Sequence, residues 1–134
     1  MKRGSKKGQG LTEAVTAAIV LIPLALCLMD FMVLIMANSM NDTIVKNAAR
    51  AAASQDTEAH ALEAAKNSIK SYHPSGIIQQ DSLLLSGFLY DGAKGSVTAQ
   101  TTMTVHLPMP FPGISDMTFH AKDVEPIVNF QPSP

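Results

Sequence analysis

The chain has 134 residues and a formal net charge of −1, which leaves room for one small domain beside an apolar segment and no basic surface fit for nucleic acid. Its single cysteine, Cys27, excludes an internal disulfide. His60, His73, His106 and His120 are scattered, with no Cys or acidic partner at ligand spacing, so no metal site and no cofactor are expected.

The N-terminus opens with Lys2, Arg3, Lys6 and Lys7 and no acid among them. From Ala14 to Met29 only Thr16 and Pro23 are not plainly apolar; Asp30 follows, and Phe31 to Ala37 are all apolar. As a helix, Ala14 to Ala37 is about 36 Å long, enough to cross a hydrocarbon core of roughly 30 Å with some tilt. Four cations before the span, against Lys46 and Arg50 soon after it, set the N-terminus on the cytoplasmic side. A cleaved secretory signal is the competing reading. The apolar run is longer than such signals usually are, Asp30 interrupts it, and Ile35-Met36-Ala37 is a poor small-x-small site.

Three residues in this region call for explanation. Pro23 removes one helical hydrogen bond and should bend the helix. Asp30 carries a carboxylate where insertion costs about 2.5–3.5 kcal/mol at mid-span. Either it lies near the outer interface, close to the true end of a tilted helix, or it meets neighbouring subunits in a bundle. Glu13 stands at the mouth of the span, where Leu or Ala would be cheaper.

The run Lys6-Lys7-Gly8-Gln9-Gly10-Leu11-Thr12-Glu13 resembles the class III prepilin signal, in which a prepilin peptidase cuts after glycine and the apolar segment stays on the product. A cut after Gly8 makes Gln9 the first residue and Glu13 the fifth. Gly4 and Gly10 are poorer sites, because they place Glu13 nine and three residues in. The resemblance implies that Glu13 meets the new amine of a neighbouring subunit. Pairing the two offsets the cost of burying either charge alone. The competing reading is an uncleaved signal anchor in which Glu13 is a helix N-terminal acid favoured by the dipole.

The likeness extends further. Gln9-Gly10-Leu11-Thr12-Glu13-Ala14, a proline-bearing span, the acid-Phe pair Asp30-Phe31, the Ala48-Ala49-Arg50-Ala51-Ala52 run and a β-rich tail together resemble the TadE-like pseudopilins of tight-adherence pilus systems. That family usually has glutamate followed by Phe-Gly; here the residues are Asp30-Phe31-Met32, which keeps the charge and changes the last position. The resemblance implies a minor pilus subunit in the bacterial inner membrane. Its partners would be a prepilin peptidase, other pilin or pseudopilin subunits and an inner-membrane assembly platform.

Beyond the span, Ile44, Ala48, Ala51 and Ala52 keep helical spacing, and Asp42 precedes Lys46 by one turn for an ion pair. The capping residues Ser54-Gln55-Asp56-Thr57 predict a break and a restart. The second helix is expected to run to about Tyr72, with Leu62, Ala65, Ile69 and Tyr72 on one face and His73-Pro74-Ser75-Gly76 ending it.

The period then changes. A strand is expected over Leu83 to Leu89, closed by the turn Asp91-Gly92-Ala93-Lys94-Gly95. From Ser96 to Leu107 the odd positions are Val97, Ala99, Thr101, Met103, Val105 and Leu107, alternating with Thr98, Gln100, Thr102, Thr104 and His106, as a half-buried strand requires. Pro108, Pro110 and Pro112 predict an extended loop excluded from a central strand. Asp116 to Val124 alternates again, and Pro126, Pro132 and Pro134 suggest a frayed end.

The expected architecture is α+β, pilin-like: a long N-terminal helix, a second helix and a small antiparallel sheet. In sequence it divides into a basic leader (1–8), a transmembrane and assembly helix (9–37), an extracytoplasmic helical region (38–73) and a small β-rich region (74–134). No nucleophile elbow or phosphate-binding loop appears, so a structural subunit is expected and an enzyme is not. The alternative function is a permanent signal-anchored envelope protein whose outer domain binds another protein or the cell wall.

Overall fold

A computed structural model describes residues 6–72, 78, 82–111 and 114–128. Helix α1 spans Lys6–Ala53, 48 residues with Pro23 inside it, a rod about 72 Å long at 1.5 Å per residue. Helix α2 spans Glu58–Lys70. Strands β1 (Leu84–Asp91), β2 (Ser96–Phe111) and β3 (Ile114–Pro126) follow. They form one antiparallel sheet in the order β1-β2-β3. The expected α+β architecture is the observed one.

The break between the helices falls where the capping residues stand. Thr57 has an extended backbone, and its hydroxyl accepts the His60 N–H at 3.4 Å. Glu58 in the first turn and Lys70 in the last both suit the helix dipole. The face α2 turns to the core carries Ala61, Ala65 and Ile69, with Leu62 half-buried beside it. It ends short of Tyr72, and the expected stop at His73-Pro74-Ser75-Gly76 lies outside the described residues. Asp42 and Lys46 both stay exposed and form no ion pair among the described residues.

The alternation in β2 is realised: Val97, Ala99, Thr101, Met103, Val105 and Leu107 are all buried. They face α1, while Thr98, Gln100, Thr102, Thr104 and His106 lie on the open face. Ile44, Ala48 and Ala52 of α1 cluster with Ala61, Ala65 and Ile69 of α2 and with Val97. Val45 and Ala49 meet Ala99 and Ala121, and further down α1 Ala37 meets Met103 and Val105. Small side chains let helix, helix and sheet approach closely, so the core gains from contact density what it lacks in volume.

Two expectations are corrected. Pro108 and Pro110 do not form a loop; they lie within the central strand β2, which continues to Phe111. They are tolerated because β1 pairs with β2 only between Ser96 and Thr102, and because the β2–β3 register shifts between His106 and Phe111. Beyond the Ile78–Val105 bridge, no second neighbour pairs with β2 among the described residues, so Pro108 and Pro110 interrupt no ladder described on that side. Pro112 lies outside the described residues. Pro126 does not fray: it ends β3 opposite Ser96. The Ile127 N–H then donates to the Gly95 carbonyl at 2.8 Å, and the Val128 N–H donates to the Ala53 carbonyl at 3.1 Å.

Candidate functional site: an apolar helix with two acids

The first half of α1 has almost no intramolecular partner. Residues 10–25 are all exposed, including Leu11, Val15, Ile19, Leu21 and Leu24. This helix is long and apolar enough to cross a membrane, and it lies near the N-terminus. Such a surface is stable in water only if something apolar covers it. The Thr16 hydroxyl donates to the Thr12 carbonyl at 2.9 Å, which hides its polarity inside the helix. Pro23 is exposed on this half and the helix continues through it.

The Gly8–Gln9 bond falls in the first turns of α1. Glycine at positions 8 and 10 weakens a helix by roughly 1 kcal/mol each relative to alanine, so this end opens easily to an extended conformation. Glu13 is exposed, one turn further on.

Asp30 has a different environment. It is 3% exposed, although Phe31 beside it is 61% exposed. Its direction on the helix explains this. Half-buried Leu26, Cys27, Val33 and Leu34, with buried Asp30, Ala37, Asn41, Ile44, Ala48 and Ala52, form one stripe at three- and four-residue intervals. The sheet packs on that side of the helix from Ala52 down to Val33. Glu13 and Asp30 are therefore not one site: they are separated by about 26 Å of helix, one acid exposed and the other buried on the helix face that carries Ala37.

The sequence reading missed three polar features. Asn41 is fully buried, and its Oδ1 accepts the Thr101 hydroxyl at 2.9 Å. Its position seven and eleven residues from Leu34 and Asp30 was the available signal. On the open face, His106 Nδ1 and Asp116 Oδ1 lie 2.8 Å apart, with Thr104–Thr118 and Thr102–His120 above them. Cross-strand pairing, which local sequence does not reveal, creates this ladder. The His106 ring hydrogen bond, followed by that from Ser115, holds the Asp116 carboxyl below its ordinary 3.8. Arg50 in the last turn of α1 and Glu125 near the end of β3 pair at 2.9 Å. Among the described residues no group of three His, Cys, Asp or Glu could hold a metal ion.

A shallow groove of about 460 Å³ runs beside α1, lined by Ile35, Met36, Met40, Ile44 and Tyr72 among others, with no charged side chain. Its chemistry suits another apolar surface. Comparisons with protein-family models, with curated proteins and with solved structures find no match to this chain.

Proposed function

We propose that the chain is a TadE-like minor subunit of a tight-adherence pilus or type IV-related secretion assembly. It is inserted in the bacterial inner membrane with its N-terminus cytoplasmic and processed after Gly8 by a prepilin peptidase. One observation carries this reading: a single unbroken helix, α1, is bare and apolar over residues 10–25 and then becomes the spine of a small sheet. A bilayer covers the bare half of such a subunit before assembly, and neighbouring helices cover it afterwards. The helix then moves between two apolar environments, and packing, rather than hydrophobic transfer from water, drives the exchange.

Glu13 fits the same account. Processing after Gly8 creates an α-amino group on Gln9, charged below a pKa of about 8. An exposed Glu13 is free to meet that amine on a neighbouring chain, where the pairing fixes the stagger between subunits. Subunits, the assembly platform and lipid are its partners, and its role is structural rather than enzymatic.

The test is the intact mass of the protein purified from its own membranes. A mass equal to Gln9–Pro134 is expected. A full-length mass from cells with an active prepilin peptidase would overturn the precursor reading and leave a permanent anchor. A start near Asn38 would make the apolar segment a secretion signal.

A further inference from the structure

Helix α2 turns back along α1 after the short break at Ser54–Thr57, so its C-terminal end lies low on α1. Its 13 residues descend about 20 Å, which carries Lys70 from the level of Ala53 to about that of Met40. The contacts agree with this length. Tyr72 packs on the cluster that holds Ala37, as Val33 and Met40 do, and it walls the same groove as Ile35 and Met36. Strand β1 starts at this level too. Leu84 pairs with Thr102, next to the Thr101 hydroxyl that bonds Asn41, and Leu83 packs on the Ala37 cluster.

A second cleft opens there between α2 and β1. It holds about 230 Å³ and is lined by Ile69, Leu83, Leu84 and Leu85, with Lys66 and Lys70 completing it. Ile69 is buried and forms an apolar floor, while Leu84 is 59% exposed. The two lysines are exposed and stand one turn apart on α2. Arg50 and Lys94 have carboxylate partners, but Lys66 and Lys70 form no ion pair among the described residues. No acid among the described residues lines the cleft.

Its height above the bilayer decides what fits it. A helix that enters the hydrocarbon just after Glu13 needs about 20 residues to cross, so it leaves near Val33. The apolar run itself closes at Ala37. The cleft, level with Met40 to Ile44, then begins about 5–10 Å beyond the hydrocarbon. A headgroup layer is about 5–8 Å deep on each side, and long lysine stems reach down into it. Tyr72, half-buried at the same height, is the residue type of the membrane-interface belt. A free phosphate would leave the apolar floor wet, and a neutral lipid would leave two lysines without counter-charge. A lipid with a net negative headgroup satisfies both.

We propose that the cleft between α2 and β1 binds an anionic phospholipid of the outer leaflet. Lys66 and Lys70 hold its phosphodiester, and Ile69, Leu83, Leu84 and Leu85 lie against its glycerol and first acyl methylenes. The proposal rests on the reading of α1 as a membrane span. The bound lipid would fasten the α2 end of the outer domain to the bilayer until the helix is extracted.

The test uses the full chain with Cys27→Ser as background and an environment-sensitive fluorophore at Leu84→Cys, Leu89→Cys or Val20→Cys. All three positions are exposed, so a label leaves the core intact. The protein is reconstituted in phosphatidylcholine–phosphatidylglycerol vesicles, with a nitroxide at a shallow or deep acyl position of one lipid or the other. At Leu84, shallow-labelled phosphatidylglycerol should quench several-fold more than shallow-labelled phosphatidylcholine at equal mole fraction. Lys66→Gln and Lys70→Gln together should bring the two lipids to equality. At Val20 the deep labels of both lipids should quench alike, and at Leu89 neither lipid should quench. Equal or absent quenching at Leu84, or a preference that survives the double variant, would overturn the lipid site, and quenching at Val20 would leave the span intact. Shielding at Leu84 that appears only as the protein-to-lipid ratio rises would assign the cleft to a second copy and overturn the lipid site equally. An unquenched probe at Val20 would overturn the span and the lipid site together.

Discussion

The hydroxyl of Thr101 donates to Asn41 Oδ1 across 2.9 Å, and both side chains are fully buried between α1 and β2. Residues sixty positions apart in the chain are thereby held in one register. The Asn41 Nδ2 finds no partner among the described residues, so the amide is already half-satisfied. Replacing Thr101 with Val removes the one bond and leaves a buried amide with none, a loss of about 1–3 kcal/mol. The double variant Asn41→Leu, Thr101→Val should recover most of that loss, because no stranded polar group remains. Thermal melts of the full chain in detergent, followed by circular dichroism, give the coupling. Additive effects of the two substitutions would show that the bond does not hold helix to sheet.

Acid should loosen the sheet through two carboxylates. The Lys94 backbone N–H, with help from the Lys94 side chain and the Ala93 N–H, holds the Asp91 carboxyl below its ordinary 3.8. The His106 ring does the same for Asp116. A folded value below the unfolded one means the stabilisation is present above about pH 4 and disappears as the pH falls through the lowered folded values. Both groups are solvent-accessible, so the effect is modest and sensitive to salt. Carboxyl carbon shifts in a pH titration by NMR should place both midpoints below 3.8. Midpoints at or above it would mean that the turn and the ladder are not formed as described.

Close packing of small residues is the second mechanical feature. Ala48, Ala52, Ala61 and Ala65 are all 0% exposed where α1 meets α2. Ala48→Leu must force the helices apart or distort rotamers, a cost of about 1–3 kcal/mol. Asn47→Leu, on the exposed side of the same turn, should change stability by less than about 0.5 kcal/mol. A comparison of denaturant midpoints in the same detergent decides this. Equal effects would mean that α2 is not seated on the alanine stripe.

Much of this architecture was legible in the sequence because its signals are local. The period-two run from Val97 to Leu107 fixes which face of β2 is buried, and Ser54 to Thr57 mark the break between helices by their own capping chemistry. What was not legible depends on partners far along the chain. Proline excludes a residue from a two-sided ladder, but nothing local says that the β1 ladder stops at Thr102, short of Pro108. Likewise Asp30 is one acid in an apolar run until the sheet is laid along its side of the helix. The His106–Asp116 contact needs the β2–β3 register, which no spacing rule supplies.

The two acids of α1 should separate experimentally, because only one is engaged by its own chain. Glu13 is exposed on the bare half of the helix, so Glu13→Gln should leave folding, membrane insertion and removal of the leader unchanged while pilus incorporation falls sharply. Restoring a carboxylate with Glu13→Asp shortens the reach by one methylene and should recover only part of the incorporation. Asp30 is buried against the sheet side of the same helix, so Asp30→Leu removes its polar contact within the subunit. That change should increase cleavage of the β2–β3 region by an added protease in detergent, before any assembly takes place. Glu13→Gln should not alter this cleavage. If Asp30→Leu kept wild-type protease resistance and lost only incorporation, Asp30 would act between subunits, and its burial in the single chain would carry no structural weight. If Glu13→Gln assembled normally, the stagger between subunits would have to come from helix packing alone.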